Sequence, residues 1–304
     1  MDCPEISDAI VDFDPQTLER RPVRRQALLD RFVAERNSRA ARIVSELDHC
    51  KDVLDPDAVD RLLVTVHYEL QQLSEEFFHG QRMSEYLGPL VSALRAGGAS
   101  ETLRVVDIGC GIGYVVRWLA ARTDLPDNVE LIGVDFNPAL IAEAQSLAEQ
   151  EGLRCSFTVA NAFQMTEPAS VYLSTGVLHH FRGDSLRQFF IQHNRPETLA
   201  FAHFDFQPSI FAPIGAWFFH LVRMREVLAR HDGVASAIRA HTGATLLEAA
   251  RSGTDGILTA MFSTHLWKTP VPRVMHAVVG IRPEFQSALI DHLGPSAARL
   301  GALS

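Results

Sequence analysis

The chain carries two different patterns of apolar and polar residues, and one gives way to the other near residue 98. Before that point apolar residues recur every three or four positions, which is typical of amphipathic helices. After it, short apolar runs of strand length alternate with helical patterns. Seven runs predict strands, at Leu103–Ile108, Val129–Asp135, 155–161, 170–176, 198–206, 257–267 and 274–281. This alternation predicts an α/β fold with a doubly wound, mainly parallel sheet, whose last two strands form an antiparallel edge hairpin.

The first 98 residues predict helices only. Asp55 is a suitable N-cap ahead of Pro56, and apolar residues follow at helical spacing, so a strong helix is expected to begin there. A weaker helix is expected over 24–47, where arginines alternate with acids and indicate a solvated face rather than an anion site. A third helix, over 83–94, should be broken or kinked at its internal Gly-Pro pair.

A glycine pair at positions 97 and 98 marks the change between the two patterns. Glycine-rich stretches between periodic segments are typical of linkers. We therefore predict two domains, an all-helical N-terminal cap over 1–98 and a sheet domain over 99–304. A chain of 304 residues is long enough to form both.

Composition narrows the class of protein further. The formal net charge of −9 would repel phosphate groups, so we expect no nucleic-acid partner. The longest apolar stretch, 209–222, is too short to span a bilayer, and no secretory signal is visible, so we expect a cytoplasmic protein without a membrane partner. The four cysteines lack the spacing of metal ligands and are expected to be free thiols, which leaves no predicted metal site.

The first predicted strand runs directly into three closely spaced glycines, in the sequence GCGIG at 109–113. Glycine permits a sharp turn and lets a ligand approach the backbone, although a glycine triplet also occurs in ordinary tight turns. The second strand ends in Asp135, whose carboxylate can accept hydrogen bonds from both hydroxyls of a ribose. A nucleoside-bearing cofactor is therefore favoured. The spacing GxGxG differs from the GxGxxG of dinucleotide sites and disfavours NAD.

Three segments in this order resemble the class I S-adenosylmethionine-dependent methyltransferases. They are VVDIGCGIG at 105–113, GVDFNP at 133–138 and VLHHF at 177–181. The resemblance extends over about 101–206 and does not include the N-terminal helices. It implies a Rossmann-like sheet of seven strands and S-adenosyl-L-methionine as the cofactor.

The resemblance also implies which residues contact the cofactor. Asp107 would lie beside its methionine portion, Asp135 would hold the ribose, and Phe136 would lie against the adenine. The other implied cofactor residues are Gly109, Cys110, Gly111, Gly113, Asn161, Ala162 and Gly176. Many relatives carry aspartate where this chain has Asn161, whose amide oxygen can still accept a hydrogen bond. The stretch 162–170 is too short for the usual helix, so we expect a loop.

Two histidines follow the fourth strand, at the sheet edge where cofactor and acceptor should meet. Histidine is the side chain whose pKa suits proton removal near neutral pH. We favour His180 over His179 as the candidate base, and Asp205 is a competing base or a group that orients the acceptor. Each of the three also has a purely structural interpretation, such as capping the following turn.

Aromatic residues are concentrated at and after the fifth strand: Phe204, Phe206, Phe211, Trp217, Phe218 and Phe219. They would either contact a flat, apolar acceptor or pack a helix onto the sheet, and we favour packing for most of them. Tyr68 and Tyr86 are further candidate acceptor contacts.

The sequence thus predicts a methyltransferase acting on a small, partly apolar metabolite, aromatic compounds included. A homodimer is one candidate assembly. A non-catalytic module that binds S-adenosylmethionine or S-adenosylhomocysteine stays open as an alternative, and a nicotinamide-dependent oxidoreductase is less favoured.

Overall fold

A computed structural model describes residues 4–99, 102–122, 125–165, 168–264 and 275–304. The chain forms two compact units. The smaller comprises Met1–Leu73 and Pro208–Arg239, and the larger comprises Ser74–Gln207 and Ala240–Ser304. Among the described residues, no helix is long and apolar enough to cross a membrane.

The smaller unit is almost entirely helical. Its helices are α1 Ile6–Ala9, α2 Arg25–Ala34, α3 Ser38–Ser45, the greater part of α4 Pro56–Glu76, α9 Ala212–Arg223 and α10 Val227–Arg239. Two short strands, β1 His49–Cys50 and β2 Val53–Leu54, form an antiparallel pair. The predicted start of α4 is confirmed, because Asp55 Oδ1 accepts a hydrogen bond from the Ala58 amide at 3.0 Å.

The single helix predicted over 24–47 is wrong, because α2 and α3 are separate helices. Arg36 adopts a left-handed conformation with φ 57°, which cannot continue a helix. Asn37 then caps α3 by accepting a hydrogen bond from the Ala40 amide at 3.0 Å. The apolar periodicity continues across the break, whereas the helical backbone conformation is interrupted there.

Two buried carboxylates connect distant segments of the smaller unit. Asp232 of α10 accepts hydrogen bonds from the backbone amides of Ile6 and Ser7, both at 2.8 Å. Glu69 of α4 accepts hydrogen bonds from the amides of Arg225, at 2.7 Å, and Glu226, at 3.2 Å, just before α10. Carboxylates satisfy the unpaired amides of helix starts well. These contacts explain why the segment after the fifth parallel strand joins the N-terminal helices in one unit.

The larger unit contains a seven-stranded sheet. Its strands are β3 Leu103–Ile108, β4 Val129–Asp135, β5 Ser156–Val159, β6 Val171–Thr175, β7 Ala200–Phe206, β8 Leu258–Ser263 and β9 Met275–Ile281. They lie in the order β5-β4-β3-β6-β7-β9-β8, and β9 is antiparallel to both of its neighbours. The predicted doubly wound sheet with an antiparallel edge pair is confirmed. The proline-containing loop expected between these two strands lies outside the described residues.

Helices cover both faces of this sheet. They are α5 His79–Ala96, α6 Tyr114–Arg122, α7 Pro138–Glu151, α8 Asp184–Ile191, α11 Gly243–Gly253 and α12 Gln286–Leu293. Buried side chains of α5, α6, α7 and α12 share one apolar cluster with one face, and those of α8 and α11 share another with the opposite face. The fold is therefore a three-layer α/β/α arrangement, and the carboxyl ends of the parallel strands meet along one edge.

The third helix was expected to be broken or kinked at its Gly-Pro pair. A break is wrong, because α5 continues through Pro89, and a kink stays a prediction. Met83 and Leu87 before the proline and Leu90 and Leu94 after it are all completely buried against the sheet. Burial of this continuous face outweighs the hydrogen bond that proline removes. The domain boundary at residue 98 stays a prediction. The two compact units divide the chain at other positions, and α5 belongs to the larger unit.

Two buried histidines of the larger unit form a connected hydrogen-bond chain. His193 Nδ1 lies 3.0 Å from the Phe189 carbonyl oxygen, which only accepts, so this nitrogen donates. His193 Nε2 therefore accepts from His203 Nε2 at 2.8 Å, and His203 Nδ1 accepts from the Ser174 hydroxyl at 2.9 Å. With both imidazoles neutral, every ring nitrogen of this chain has a hydrogen-bond partner.

We expect this pair to make the folded state sensitive to acid. Burial lowers the pKa of His193 to about 3 and also lowers the pKa of His203, so both stay neutral in the fold while the unfolded chain takes up protons below pH 6.5. Stability should fall as pH falls from 6.5 toward 3, by about 1 kcal/mol per pH unit for each histidine. Urea unfolding at pH 7 and pH 5 measures this. His193→Gln should make the dependence of stability on pH shallower, whereas His49→Gln, at an exposed position, should leave it unchanged. Equal pH dependence in the two variants would contradict the assignment of this effect to the buried pair.

Candidate active site

The glycine loop joins β3 to α6 in a conformation that needs its glycines. Gly109, Gly111 and Gly113 have φ angles of 69°, 55° and 74°, which L side chains rarely adopt. A Cβ atom on Gly113 would lie 2.3 Å from the ring of Phe157. The loop is tied to the neighbouring strand, because the Gly109 amide donates to the Val134 carbonyl at 2.8 Å. Because its glycines carry no Cβ atoms, the backbone of this loop can be approached closely by a ligand.

Asp135 lies directly against this loop. Its Oδ2 accepts a hydrogen bond from the Gly111 amide at 3.1 Å, and its Oδ1 accepts from the Asn137 amide at 3.0 Å. The structure therefore brings the loop and the carboxylate at the end of β4 together, as the sequence motifs predict. Its part in holding a ribose stays a prediction.

Asp107, near the end of β3, is a buried carboxylate. Among the described residues, its Oδ1 has no hydrogen-bond partner. Burial, assisted by the negative charge of Asp135, raises its pKa to about 7. A cationic ligand group beside it would favour the ionised carboxylate. This orphaned acid fits a cofactor that carries sulfonium and ammonium charges. Burial also raises the pKa of the Cys110 thiol, which agrees with a small neutral side chain in the loop.

The other predicted cofactor residues surround the same edge. Phe136 follows Asp135 and is 43% exposed. The Asn161 side-chain oxygen accepts a hydrogen bond from the Phe163 amide at 2.9 Å, and a carbonyl oxygen can accept a second one. The described residues of the neighbouring loop, which includes Ala162, contain no helix. Gly176 has a φ of 69°, and no described atom lies within 4 Å of a Cβ built on it.

His179 and Asp205 form a buried pair at this edge. The His179 backbone amide donates to Asp205 Oδ2 at 2.6 Å, and His179 Nδ1 donates to Oδ1 at 2.8 Å. Oδ1 also accepts from the Phe206 amide at 2.7 Å. Burial alone would raise the pKa of Asp205, but the charge and hydrogen bonds of His179 and the backbone amides lower it. Asp205 is therefore suited to orient His179 rather than to act as a base itself.

The geometry favours His179 over His180. Because its Nδ1 donates to Asp205, neutral His179 carries its proton-accepting lone pair on Nε2. The His180 ring lies 4.4 Å from the His179 ring, and His180 is half-buried. The hydrogen bonds of Asp205 come from His179 and from the Phe206 amide. The sequence favoured His180 as the base, and the choice between the two histidines stays a prediction.

Two further histidines near Asp205 were not found from the sequence. His276 of β9 is paired in register with Asp205, and burial lowers its pKa while the charge of Asp205 opposes that shift. His241 donates from Nε2 to the Phe181 carbonyl oxygen at 2.8 Å. Only the register between β7 and β9 brings His276 to this position, and no local pattern predicts that register.

The predicted aromatic cluster is divided between the two units. Phe204 is buried in the sheet core, as the packing interpretation predicts, and the Phe206 ring lies 5.3 Å from that of His179. The packing interpretation is wrong for Phe211, Trp217 and Phe218, which are 69%, 49% and 64% exposed. Of the two tyrosine candidates, Tyr86 is completely buried in the core of the larger unit and Tyr68 is partly exposed in the smaller unit.

Cofactor affinity is expected to weaken as pH falls below 7. Asp107 must be ionised to stabilise a cationic ligand, and with its pKa raised to about 7 it is increasingly protonated below that pH. Binding therefore releases a proton, and affinity for S-adenosylmethionine should fall by up to about tenfold per pH unit in this range. Calorimetry in two buffers of different ionisation enthalpy measures both effects. Asp107→Asn should bind weakly at every pH with no proton release; an unchanged pH slope in that variant would contradict the assignment.

Comparison with known proteins agrees with this geometry. Residues 105–195 match the family described as Methyltransferase domain. Citrate synthase-lysine N-methyltransferase of Homo sapiens, a mitochondrial protein, is 37% identical over 65 residues, which is 21% of this chain and 26% of that protein. An uncharacterized protein of Mycobacterium tuberculosis is 29% identical over 107 residues, 35% of this chain and 36% of that protein. The solved plantazolicin methyltransferase BpumL, in complex with S-adenosylhomocysteine, has a TM-score of 0.51 at 13% identity, covering 85% of this chain and 99% of that one.

Residues 105–195 therefore contain a methyltransferase domain. The chain also shares its fold with a solved methyltransferase that binds S-adenosylhomocysteine. The chain spans only about a quarter to a third of the length of the curated relatives named here. Similarity to them therefore concerns only part of this chain and only part of each relative.

Proposed function

We propose that this protein transfers the methyl group of S-adenosylmethionine to a small, partly apolar metabolite, with His179 as the base that removes a proton from the acceptor. The observation that carries the proposal is the His179–Asp205 pair. His179 follows β6 and Asp205 lies near the end of β7, so both are at the sheet edge that also carries the glycine loop. Ligands of doubly wound sheets bind at that edge.

The proposed roles of the protein groups follow from this arrangement. The cofactor supplies an already activated methyl group, so the protein has to position the acceptor, exclude water and accept a proton. Asp205 holds the His179 ring through Nδ1, which directs the proton-accepting lone pair to Nε2. The buried negative charge of Asp205 then stabilises the imidazolium that forms when Nε2 takes up the acceptor proton.

The smaller unit by itself exposes an apolar face on α9, which supports an apolar ligand for this protein. Ile214, Trp217, Phe218, Leu221 and Val222 are each between 45% and 66% exposed, and they recur at helical spacing. A continuous apolar stripe on the solvent side of a helix is unusual, because soluble proteins rarely expose such patches without a binding role. Helix α9, which carries this apolar face, belongs to the segment that follows the fifth parallel strand.

The decisive experiment is an assay for S-adenosylhomocysteine with a panel of acceptors, comprising phenols, catechols, nitrogen heterocycles and a lysine peptide. We expect turnover with an apolar small molecule and none with the peptide. Cofactor binding without turnover of any acceptor would instead support the non-catalytic binding module. Quenching of NADH fluorescence on titration, without binding of S-adenosylmethionine, would support the oxidoreductase.

A further inference from the structure

Helix α9 and the turn before it carry an apolar stripe on their solvent side. The stripe begins at Ile210 and Phe211, which are both more than two thirds exposed. Its members are three or four positions apart, the spacing of neighbours on one face of a helix. All of them are at least 45% exposed, and together they are named the α9 stripe: Ile210, Phe211, Ile214, Trp217, Phe218, Leu221 and Val222. Apolar area of this extent is unfavourable in water, so the α9 stripe indicates a surface that a partner covers.

The α9 stripe is not the side through which α9 packs in the smaller unit. His220 is the one residue of this helix that is buried. A Cβ atom on Gly233 of α10 would lie 2.2 Å from the His220 ring, so the two helices approach closely at that point. Helix α9 is therefore held in place through another side, while the apolar side chains of the stripe stay exposed in the folded chain.

The size and chemistry of the α9 stripe favour a lipid surface over other partners. Helix α9 has 12 residues and is therefore about 18 Å long, so one small molecule would cover only part of the stripe. Protein interfaces carry about one hydrogen bond for every 100–200 Å² of buried area, whereas the stripe offers only the Trp217 indole N–H. Tryptophan is enriched where a membrane meets water, because its ring is apolar and its N–H is polar. A bilayer surface can cover the whole stripe without further hydrogen bonds.

The charge around the stripe favours anionic lipids. The segment 208–239 contains four arginines and two acids, although the whole chain has a net charge of −9. One of the two acids, Asp232, is buried and accepts a hydrogen bond from the Ile6 amide. Arg223, the last residue of α9, and Arg225, just after it, are both exposed. Basic residues beside an apolar helix face are typical of helices that lie on membranes with anionic lipids.

We propose that the α9 stripe docks this protein on the surface of a bilayer that contains anionic lipids. Helix α9 then lies in the plane of the interface, with the stripe among the acyl chains and the Trp217 N–H at the level of the headgroups. The expectation of no membrane partner was based on the stretch 209–222, which is too short to span a bilayer but long enough to lie along its surface. The docking surface belongs to the smaller unit and involves no step of methyl transfer, so it goes beyond the proposed function and does not depend on it.

Sedimentation of the full chain with lipid vesicles tests the docking. Vesicles of phosphatidylcholine mixed with phosphatidylglycerol should bind the wild type, and vesicles of phosphatidylcholine alone should bind it more weakly. Trp217→Ser together with Phe218→Ser should lower affinity for the mixed vesicles by at least about tenfold, because two large apolar side chains no longer enter the lipid. Val33→Ser is the matched control and should bind as the wild type does, because Val33 is exposed on α2, outside the stripe.

Arg225→Gln separates the contribution of charge from that of apolar area. Removing one cation near the membrane should weaken binding to the mixed vesicles by about fivefold at low salt and leave binding to phosphatidylcholine unchanged. The backbone amide of residue 225 can still donate to Glu69, so the start of α10 should keep its position. Arg39→Gln, at an exposed arginine of α3, is the matched control and should bind both kinds of vesicle as the wild type does. Equal loss of binding to both kinds of vesicle in Arg225→Gln would overturn the assignment to anionic lipids.

A second copy of the chain is the other occupant that these variants detect. A wild type that binds no mixed vesicles overturns the proposal, and conversion of a dimer to a monomer by the double variant would then assign the stripe to self-association. A folded double variant that binds the mixed vesicles as tightly as the wild type also overturns it. The melting temperature of the double variant should stay unchanged, since both side chains are exposed. Ile214→Ser decides the question if the double variant does not fold, and wild-type binding in Ile214→Ser would overturn the proposal as well.

Discussion

Asp205→Asn is expected to lower kcat by about 10²- to 10⁴-fold, the range attributed to general-base catalysis. The asparagine oxygen can still accept the His179 backbone amide, but its NH₂ group would face His179 Nδ1 and donate to it. That reversal moves the ring proton to Nε2 and removes the lone pair that accepts the acceptor proton. Steady-state kinetics with a phenolic acceptor, as a function of pH, measure the loss.

The control for this prediction is affinity for the cofactor. S-adenosylmethionine should bind Asp205→Asn within about twofold of the wild type, because no cofactor residue is altered. His179→Gln should lose as much turnover as Asp205→Asn, whereas His180→Gln should lose much less. The reverse order, with His180→Gln the inactive variant, would restore the assignment suggested by sequence position and refute the one based on the Asp205 contact.

The glycine loop and its contact with Asp135 could be predicted from the sequence, because their determinants are local. The glycines of 109–113 have the positive φ angles that only glycine adopts readily, and Asp135 ends the adjacent strand. Short apolar runs and turn residues fix both features within a few positions. The pairing of neighbouring parallel strands then brings them together without any long-range information.

Contacts between distant segments could not be predicted, because local patterns do not specify them. His276 faces Asp205 only through the antiparallel register of β9, and Asp232 joins α10 to the start of the chain through the Ile6 amide. Arg82 lies just before the predicted third helix, and its charge gives no indication that the side chain is completely buried. Local patterns describe which residues are apolar, whereas burial of a charged residue is decided by the fold.

The continuous α5 illustrates the same limit for secondary structure. Propensity predicts a break at Pro89, because proline lacks an amide proton and restricts the preceding residue. The apolar side chains on both sides of the proline are fully buried, and their burial compensates for one missing hydrogen bond. Intrinsic preferences are weak compared with the packing of a whole helix face.

Asp135→Ala is expected to weaken binding of S-adenosylmethionine by at least about a hundredfold, since two hydrogen bonds from ribose hydroxyls to a charged group are lost. The substitution also releases the Gly111 amide, which Asp135 Oδ2 holds at 3.1 Å, so the loop loses part of its preorganisation. Calorimetry measures the affinity. Asp127→Ala, at an exposed acid that pairs only at the surface, is the control and should bind as the wild type does.

Asp135→Asn separates the effect of charge from that of shape. The negative charge of Asp135 contributes to the raised pKa of Asp107, so removing it should lower that pKa and move the loss of cofactor affinity to more acidic pH. Weaker binding at pH 7 together with a pH midpoint below that of the wild type is the expected result. Wild-type affinity in Asp135→Ala would contradict the assignment of this carboxylate to the ribose, and an unshifted midpoint in Asp135→Asn would contradict its coupling to Asp107.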